Sequence, residues 1–316
     1  SRDEISFSIR DLVVEGGGAF HRGWAESIDP VRRVVYDDSG AALSYDVVSF
    51  NIGSFVPFDR LVPQEEREAL GQTIFPAKPV ACLDMARVRL TSLDPPRTIV
   101  IVGGGPGGME LAANASWAMR DRGIDASVTL FAASRLAGGQ TDNFRKKAIR
   151  RLRKLGVDVH ENTPVQSVTA DGVLAAGRLH PSEMTILAIG ILPPRLFVRS
   201  GLPTGPQGGL LVDRYLRSVA YPEIFGGGDC IEIADMPLPR VGVFALRETS
   251  FLEQNIGATL LSGELSRFET KEEYLLICNL AGGHGLGTKH GISAEGRLVG
   301  SLKNAIDRWF LRSHSL

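Results

Sequence analysis

The sequence is poor in cysteine. Its 316 residues include three cysteines, Cys82, Cys230 and Cys278, which lie far apart along the chain. This number and spacing give no disulfide framework, and dithiol chemistry by neighbouring cysteines is left without support. Scarce and scattered cysteine is typical of a reducing compartment, so we expect a cytoplasmic protein.

Charge of one sign and long apolar runs are also lacking. The net charge is −1, which argues against nucleic acid as the main partner. No apolar run approaches the roughly 20 residues that span a bilayer, and we expect no signal peptide. The composition, 43% hydrophobic and 22% charged, is that of an ordinary soluble globular protein long enough for about two domains.

Glycine, by contrast, is concentrated in TIVIVGGGPGGMEL, residues 98–111. An apolar strand leads into this stretch and helix formers follow it, as in a dinucleotide-binding unit. Gly103 allows a tight turn, Gly105 lets the backbone approach a pyrophosphate, and Gly108 lets the helix pack close to the strand. Backbone N–H groups from Gly107 onward would face the phosphates at the positive end of the helix dipole. The stretch therefore predicts an NAD(P)H site.

The following helix should run from about Gly108 to Arg122, and SVTLFAAS, residues 127–134, should be the second strand. A carboxylate for the ribose 2′-OH of NAD is expected where this strand ends, but the sequence there is Phe-Ala-Ala-Ser-Arg. One interpretation is a site for the 2′-phosphate of NADP, with Arg135 as counter-charge and Ser134 as donor. The alternative is a degenerate site in which Arg135 is merely solvated. We expect no strong preference for NADH over NADPH.

Two other apolar strands resemble each other. YDVVSFNIGSFVP, residues 45–57, and EMTILAIGILPP, residues 183–194, both run from an acidic residue through an apolar strand to Ile-Gly and proline. Each is typical of the last strand of a dinucleotide-binding domain. A later segment, residues 208–230, ends in an apolar strand and Gly-Gly-Gly-Asp. This order predicts that a second dinucleotide domain, beginning at Thr98, is inserted into a first one. Strands at Val47–Phe50 and Glu223–Gly226 should then be neighbours in one sheet of the first domain.

Three ordered motifs carry a family resemblance: YDVVSFNIGS, the GxGxxGxE stretch from Gly103 to Glu110, and YPEIFGGGDC. The chain resembles the pyridine nucleotide–disulfide oxidoreductase superfamily of flavoproteins. Its segments 240–263 and 296–312 are similar to parts of type II NADH dehydrogenases and of the flavoprotein halves fused to selenide, water dikinases. The resemblance implies FAD and NAD(P)H as cofactors.

The resemblance also implies an α/β fold with two Rossmann-like dinucleotide-binding domains, the NAD(P) domain inserted in the FAD domain, and a small C-terminal α+β segment. The expected bounds are 1–96 for the first part of the FAD-type domain and 97–190 for the inserted NAD(P)-binding domain. Residues 191–265 should form the second part of the FAD-type domain, and residues 266–316 a C-terminal interface segment.

Site residues follow from the same resemblance. Glu110 is expected near the contact between nicotinamide and flavin and is the candidate catalytic residue, although a helix dipole would also favour a carboxylate in a first turn. Asp229 is expected to bind the ribityl chain of FAD. The segment 240–263 resembles the helix whose N-terminus points at the flavin pyrimidine ring. The further flavin contacts expected are Gly53, Ser54, Gly228, Val243 and Phe244.

One family feature is missing, namely the first glycine-rich βαβ unit, which binds the ADP half of FAD. Gly16, Gly17 and Gly18 follow a short helix-like stretch, and the residues after them predict a strand pair. We expect a truncation of about 60 residues, an incomplete FAD site, and a chain that purifies largely without flavin. Cys230, next to Asp229, is expected to be a small packed residue rather than a nucleophile.

The segment 296–312 predicts an amphipathic helix. Its apolar face has two interpretations, a peripheral contact with the inner face of a membrane or packing on the protein body or a twin subunit. The basic helix that begins near Asn143 likewise either offers a patch to an acidic partner or is a solvated outer face. His284 and His290 are expected in a glycine-rich hairpin without a metal. The apolar face of the segment 296–312 comprises Leu298, Leu302, Ala305, Ile306, Trp309 and Phe310.

Two functions of different classes fit these features. The first is an FAD-dependent NAD(P)H oxidoreductase that passes hydride from nicotinamide to flavin and electrons to a quinone-like or other small acceptor. The second is a non-catalytic module, a truncated relative that senses a dinucleotide or scaffolds a partner. A yellow protein with flavin absorbance favours the first, and a colourless protein that binds NAD(P)H favours the second.

Overall fold

The computed structural model describes the backbone of residues 8–314 and the side chains of residues 8–311. The chain forms two compact units. The first unit contains the residues up to Gly53, Pro193–Thr270, and the residues from Leu302 onward. The second contains Ser54–Leu192 and Lys271–Ser301. The second unit therefore interrupts the first in sequence, as the inserted-domain prediction requires.

Both units mix helices and strands. Within residues 8–314 the α-helices are α1 (Ile9–Glu15), α2 (Val80–Leu90), α3 (Pro106–Asp121), α4 (Asp142–Lys154), α5 (Leu196–Arg199), α6 (Gly242–Leu261) and α7 (Arg297–His314). The strands are β1 (Ala25–Asp29), β2 (Val34–Asp37), β3 (Ala42–Ser44), β4 (Val48–Phe50), β5 (Ile74–Pro76), β6 (Thr98–Val102), β7 (Ser127–Phe131), β8 (Val157–His160), β9 (Val165–Thr169), β10 (Gly172–Ala175), β11 (Arg178–Pro181), β12 (Met184–Leu187), β13 (Leu210–Val212), β14 (Ile224–Gly226), β15 (Ile231–Ile233), β16 (Leu276–Asn279), β17 (Gly285–Lys289) and β18 (Ile292–Gly296).

The second unit is built on a five-stranded parallel sheet with the order β5–β12–β6–β7–β8. Strands β6 and β12 are apolar and largely buried, as expected for a parallel sheet covered on both faces. Helices α3 and α4 cover one face through side chains such as Met109 and Leu152. The antiparallel sheet β9–β10–β11 covers the other, where Val168 and Val173 cluster with Val100. The carboxyl ends of the parallel strands share one edge, which is where such sheets bind ligands.

Local sequence signals explain the ends of α3 and α4. Gly105 precedes α3 and Pro106 is its first residue, a position that suits proline because the N–H there has no intrahelical partner. Gly123, with a φ of +67°, follows the end of the helix. Thr141 caps α4, since its hydroxyl accepts a hydrogen bond of 3.3 Å from the N–H of Phe144.

The antiparallel sheet β16–β17–β18 packs on α3 and α4. Arg151 of α4 donates to the carbonyl oxygens of Leu280, at 3.0 Å, and Ala281, at 2.7 Å. Arg151 therefore binds a sheet of its own unit, which neither interpretation of the basic helix included. Lys146, Arg153 and Lys154 are exposed, as the interpretation of a solvated outer face expects. Two further contacts from α4 are Lys147 to the carbonyl oxygen of Ser293, 2.6 Å, and Arg150 to the carboxylate of Glu295.

The first unit contains the antiparallel sheet β1–β2–β3 and two parallel strand pairs, β4 with β14 and β13 with β15. Val48 is opposite Ile224 and Phe50 is opposite Gly226, which confirms the expected pairing of these segments. Phe50 also meets Phe197 of α5 edge to face, with ring centroids 5.4 Å apart. The 20-residue helix α6 adds the buried Leu252 to this core.

The boundaries of the units differ from the expected ones. Residues 54–96 belong to the second unit, because β5 pairs with β12 in its parallel sheet. The expected segment 266–316 is divided, since β16–β18 belongs to the second unit and the residues from 302 onward belong to the first. Short sequence patterns indicate neither the pairing of β5 with β12 nor the division of residues 266–316 between the units.

Helix α7 exposes five of the six residues of its predicted apolar face, whereas Phe310 is half-buried. Leu298 is 88% exposed and Trp309 is 68% exposed, and Leu302 and Ile306 are also exposed. Packing on the protein body, part of the second interpretation, is therefore wrong for these four side chains. Among the helices in residues 8–314, none is both long and apolar enough to span a bilayer.

Candidate functional site

The glycine loop joins β6 to α3 at the carboxyl edge of the parallel sheet. Gly103 has a φ of +126°, and a Cβ there would lie 2.1 Å from the carbonyl oxygen of Ala188. A Cβ on Gly108 would lie 1.8 Å from the carbonyl oxygen of Gly103. Because both obstacles are backbone atoms, these positions accept glycine only. The predicted tight turn and close helix packing are confirmed in these contacts.

Gly105 and Gly107 face open space instead. A Cβ at either position would meet no atom within 4 Å. The 16-residue helix α3 begins directly after Gly105, with no side-chain cap and no acidic residue in its first turn. Its first backbone N–H groups thus lie at the positive end of the helix without a capping side chain. This donor set suits a pyrophosphate.

The loop between β7 and α4, which contains Ser134 and Arg135, is fixed beside the glycine loop. The N–H of Ala137 donates to the carbonyl oxygen of Gly104 at 2.8 Å. The N–H of Leu136 donates to Oε1 of Glu161 at 2.7 Å. Ser134 and Arg135 therefore lie at the same edge of the sheet as the glycines, as the sequence predicts.

Arg135 forms an ion pair with Asp142, the first residue of α4. The two side chains are 57% and 69% exposed. The hydrogen bond and charge of Arg135 are the main causes that lower the pKa of the Asp142 carboxyl. Arg135 thus has a partner within the protein, a contact that was not anticipated from the sequence.

Glu110 lies beyond the first turn of α3. Its Oε1 accepts a hydrogen bond of 2.6 Å from the backbone N–H of Asn279. One helical turn later, Asn114 donates to the carbonyl oxygen of Asn279 at 3.1 Å. The carboxylate of Glu110 thus helps to fix the end of β16, and its expected place near the nicotinamide stays a prediction.

In the first unit, the pair β4 and β14 brings together the residues that follow the two strands. Gly53 and Gly228 both have left-handed backbones, with φ of +67° and +70°. The buried thiol of Cys230 lies beside them and donates to the carbonyl oxygen of Phe50 at 3.2 Å. Burial raises the pKa of this thiol to about 11, so it is protonated and unreactive at neutral pH. Ser54 falls in the second unit, where its hydroxyl accepts from Nζ of Lys78 at 3.0 Å.

Two side chains hold the loop that contains Gly228 and Asp229. The N–H of Gly228 donates to Oε2 of Glu248 at 2.5 Å, and Nε of Arg240 donates to the carbonyl oxygen of Asp229 at 2.9 Å. Glu248 is only 3% exposed. The pKa of its carboxyl is raised to about 7, chiefly by burial, with the bond from Gly228 opposing the rise and the charge of Asp229 adding to it. The loop, Arg240 and Glu248 line a cavity of about 30 Å³.

Helix α6 presents its N-terminus to the same cavity. Val243 and Phe244 lie in its first turn, which has no side-chain cap and no acidic residue. Phe244 is buried, and Arg247 lies over its ring, 5.3 Å from the centroid. Glu248 follows Phe244 by four residues, so helical spacing places it on the same face. That spacing was a signal for Glu248 that the sequence interpretation missed.

The two histidines lie at opposite ends of β17. His284 precedes the strand, with Nε2 3.4 Å from Glu295. His290 follows it, with Nδ1 3.0 Å from Glu273. Each imidazole therefore has its own carboxylate partner in this hairpin.

The arrangement of two parallel-sheet units, one with a glycine cradle and one with a Gly-Asp loop, can be compared with known proteins. Residues 25–249 match the family described as pyridine nucleotide-disulphide oxidoreductase. The chain belongs to this family. The matched range covers much of the first two of the three segments of the first unit and the glycine loop of the second.

Two relatives with established names share part of the sequence. The large subunit of nitrite reductase [NAD(P)H] from Klebsiella oxytoca is 30% identical over 211 residues, which is 65% of this chain and 21% of that protein. The internal alternative NAD(P)H-ubiquinone oxidoreductase A1 of Arabidopsis thaliana mitochondria is 29% identical over 166 residues, 48% of this chain and 32% of that protein. The chain thus aligns with about a fifth and a third of the lengths of these relatives.

Solved structures share the fold. The sulfide:quinone oxidoreductase of Aquifex aeolicus superimposes with a TM-score of 0.75 at 18% identity, over 98% of this chain and 79% of that one. A ferredoxin reductase from Rhodopseudomonas palustris gives a TM-score of 0.73 at 18% identity, over 91% of this chain and 68% of that one. Identities this low support the fold alone.

Proposed function

We propose that the chain is part of an FAD-dependent NAD(P)H oxidoreductase that passes hydride from nicotinamide to flavin and electrons to a small acceptor. The observation that carries this proposal is the glycine cradle of the second unit. Gly103 and Gly108 are required by backbone contacts, whereas Gly105 and Gly107 leave open space in front of the N-terminus of α3. A dinucleotide pyrophosphate fits this combination of space and N–H donors.

The first unit supplies groups that fit a flavin. The Asp229 carboxylate would accept hydrogen bonds from ribityl hydroxyls, and the uncapped first turn of α6, with Val243 and Phe244, would donate to the pyrimidine carbonyl. Arg240 and Glu248 hold the backbone of this loop in place. When bound, the flavin supplies the hydride and electron chemistry, while these residues bind and orient it.

In this proposal the protein's own residues bind and orient the two cofactors. The cradle and Ser134 with Arg135 would hold the pyrophosphate and ribose of NAD(P)H, and Glu110 would act near the nicotinamide. For that last role the Glu110 carboxylate would have to exchange its bond to the Asn279 N–H for one to the cofactor. The energy at stake is that of one charge-assisted hydrogen bond, about 1.5–3 kcal/mol.

A quinone-like acceptor is the finer part of the proposal. It is supported by the name of the Arabidopsis thaliana relative, an NAD(P)H-ubiquinone oxidoreductase. The exposed apolar face of α7 would serve such an enzyme as a contact with a membrane or with a second copy of the chain. A cytoplasmic location, supported by the scarcity of cysteine, completes the proposal.

Anaerobic mixing tests this function. The purified chain is supplied with FAD and then with NADH or NADPH, and the absorbance band of oxidised flavin is followed. The proposal predicts that the band bleaches and that ferricyanide or a water-soluble quinone restores it. Nucleotide binding without bleaching would instead favour the alternative of a non-catalytic dinucleotide-binding module.

A further inference from the structure

The loop between β7 and α4 carries an ion pair where the ribose of a dinucleotide is expected. Strand β7 ends at Phe131 without a carboxylate. The carboxylate of Asp142, on the first turn of α4, accepts a hydrogen bond from Nη2 of Arg135. A carboxylate thus lies beside Arg135, although it comes from the helix that follows the strand.

We propose that Asp142 sets the preference of this site between NADPH and NADH, because it competes with the 2′-phosphate of NADPH for Arg135. The inference rests on the proposed function, since it requires a dinucleotide in the glycine cradle. It assigns to Asp142 a role in specificity and leaves hydride transfer to other groups.

The backbone around Arg135 is fixed, so the competition takes place at a defined position. The N–H of Asn162 donates to the carbonyl oxygen of Ser134 at 3.1 Å. The N–H of Leu136, on the other side of Arg135, donates to Glu161 at 2.7 Å. With both neighbours anchored, the guanidinium can exchange partners by side-chain rotation alone. The 2′-phosphate is expected at the end of β7, within reach of this side chain.

Of the carboxylates near Arg135, Asp142 is the one that pairs with its guanidinium. Glu161 is the other carboxylate near Arg135, but it is already bound by the guanidinium of Arg145 and by the Leu136 N–H. The hydrogen bond from Arg135 and the charges of Arg135, Lys146 and Arg145 lower the pKa of the Asp142 carboxyl. Asp142 is therefore the group that directly neutralises Arg135.

The two nucleotides meet this pair differently. The 2′-phosphate of NADPH carries close to two negative charges, so it gains from Arg135 and is repelled by Asp142. The 2′-hydroxyl of NADH carries no charge and can donate to the Asp142 carboxylate. Because the pair is exposed, its own stability is small, and a phosphate can displace the carboxylate without unfolding the loop.

The test is the ratio of dissociation constants for NADPH and NADH, measured by titration of the 316-residue chain. The variant is Asp142→Asn, and the matched control is Asp158→Asn, which removes another exposed carboxylate of the same unit. We expect D142N to tighten NADPH binding by about three- to tenfold and to leave NADH binding unchanged or weaker. The gain should shrink at high salt. Arg135→Gln should weaken NADPH binding and spare NADH.

Each outcome has a distinct meaning. If wild type binds both nucleotides and D142N changes their ratio by no more than D158N does, the inference about Asp142 is wrong and the proposed function stands. If wild type binds neither nucleotide, the proposed function and the inference both fail. Thermal unfolding of each variant confirms that the exposed substitutions leave the fold intact.

Discussion

The N–H of Gly228 donates a 2.5 Å hydrogen bond to the carboxylate of Glu248, a residue twenty positions later on α6. The bond joins the loop expected to hold a flavin to the helix expected to face the flavin ring. A Cβ at the adjacent Gly227 would lie 2.5 Å from Leu252 and 2.8 Å from Asn51, so the loop has little freedom to shift. Glu248 thus helps to fix the backbone of this loop, although its own side chain is buried.

Replacement of Glu248 by glutamine should alter the pH dependence of stability. The carboxyl has an ordinary pKa of 4.5 in the unfolded chain and a pKa of about 7 in the folded chain, chiefly through burial. The folded state therefore binds the proton more tightly, and stability that is fully present below pH 4.5 is lost as the pH rises towards and through 7. That loss is roughly 3 kcal/mol. Urea unfolding at several pH values should show this slope in wild type and its absence in E248Q.

The control for this experiment is Glu253→Gln, which changes an exposed carboxylate on the same helix. Its pH profile should parallel that of wild type. A wild-type free energy of unfolding that does not fall across this window more steeply than that of E248Q would contradict the account of Glu248.

Alanine at position 108 should destabilise the second unit. The new Cβ would lie 1.8 Å from the carbonyl oxygen of Gly103, so the helix or the turn must shift. We expect a loss of roughly 2–4 kcal/mol, measured by thermal unfolding. Gly257→Ala on α6 is the control, because its Cβ meets nothing within 4 Å and alanine should be neutral or stabilising in a helix. Equal stability of G108A and wild type would refute the packing described for Gly108.

These two predictions differ in how far the sequence alone supported them. Gly103, Gly105 and Gly108 were assigned from local spacing, because a turn and a helix start depend on adjacent residues. The pairing of β4 with β14 was also predicted, because the segments 45–57 and 208–230 were assigned to one domain. Sequence patterns therefore predict the glycine turn, the start of the following helix and the pairing of these two strands.

The contacts that were missed join distant segments. The bond from Gly228 to Glu248 and the pair of Arg135 and Asp142 depend on which side chains meet after folding. The docking of β16–β18 on α4 joins residues 129 and 130 positions apart. Helical spacing places Glu248 on the face of Phe244, but neither hydrophobic period nor motif spacing shows which distant group a side chain meets.

Truncation of Arg151 to alanine should loosen β16–β18. The guanidinium donates to two carbonyl oxygens at the turn between β16 and β17, and burial lowers the pKa of this group. Without it, the carbonyl oxygen of Leu280 loses its side-chain donor and that of Ala281 keeps the bond from the His284 N–H; we expect a cost of about 1–3 kcal/mol. Hydrogen exchange in β17 should accelerate. Arg153→Ala, at an exposed position of the same helix, should leave exchange unchanged; equal protection in both variants would contradict the assigned role.

Cys230 should resist modification in the folded protein. Its thiol is fully buried, and its pKa of about 11 leaves little thiolate at pH 8. With an alkylating reagent and mass-spectrometric mapping, Cys82, which is partly exposed, should react first. Cys230 should react only after denaturation. Rapid labelling of Cys230 in the folded protein would contradict this prediction and would show that Cys230 is a reactive thiol.

The most direct test of the central claim is a calorimetric titration of NADH and NADPH into wild type and Gly105→Ala. A Cβ at position 105 meets no protein atom within 4 Å, so the variant should fold like wild type while its methyl group occupies the space for the pyrophosphate. The account predicts binding of at least one nucleotide to wild type and a loss of about tenfold or more, at least 1.4 kcal/mol, in G105A at an unchanged melting temperature. Absence of binding to wild type, or equal affinity of the two proteins, would contradict it.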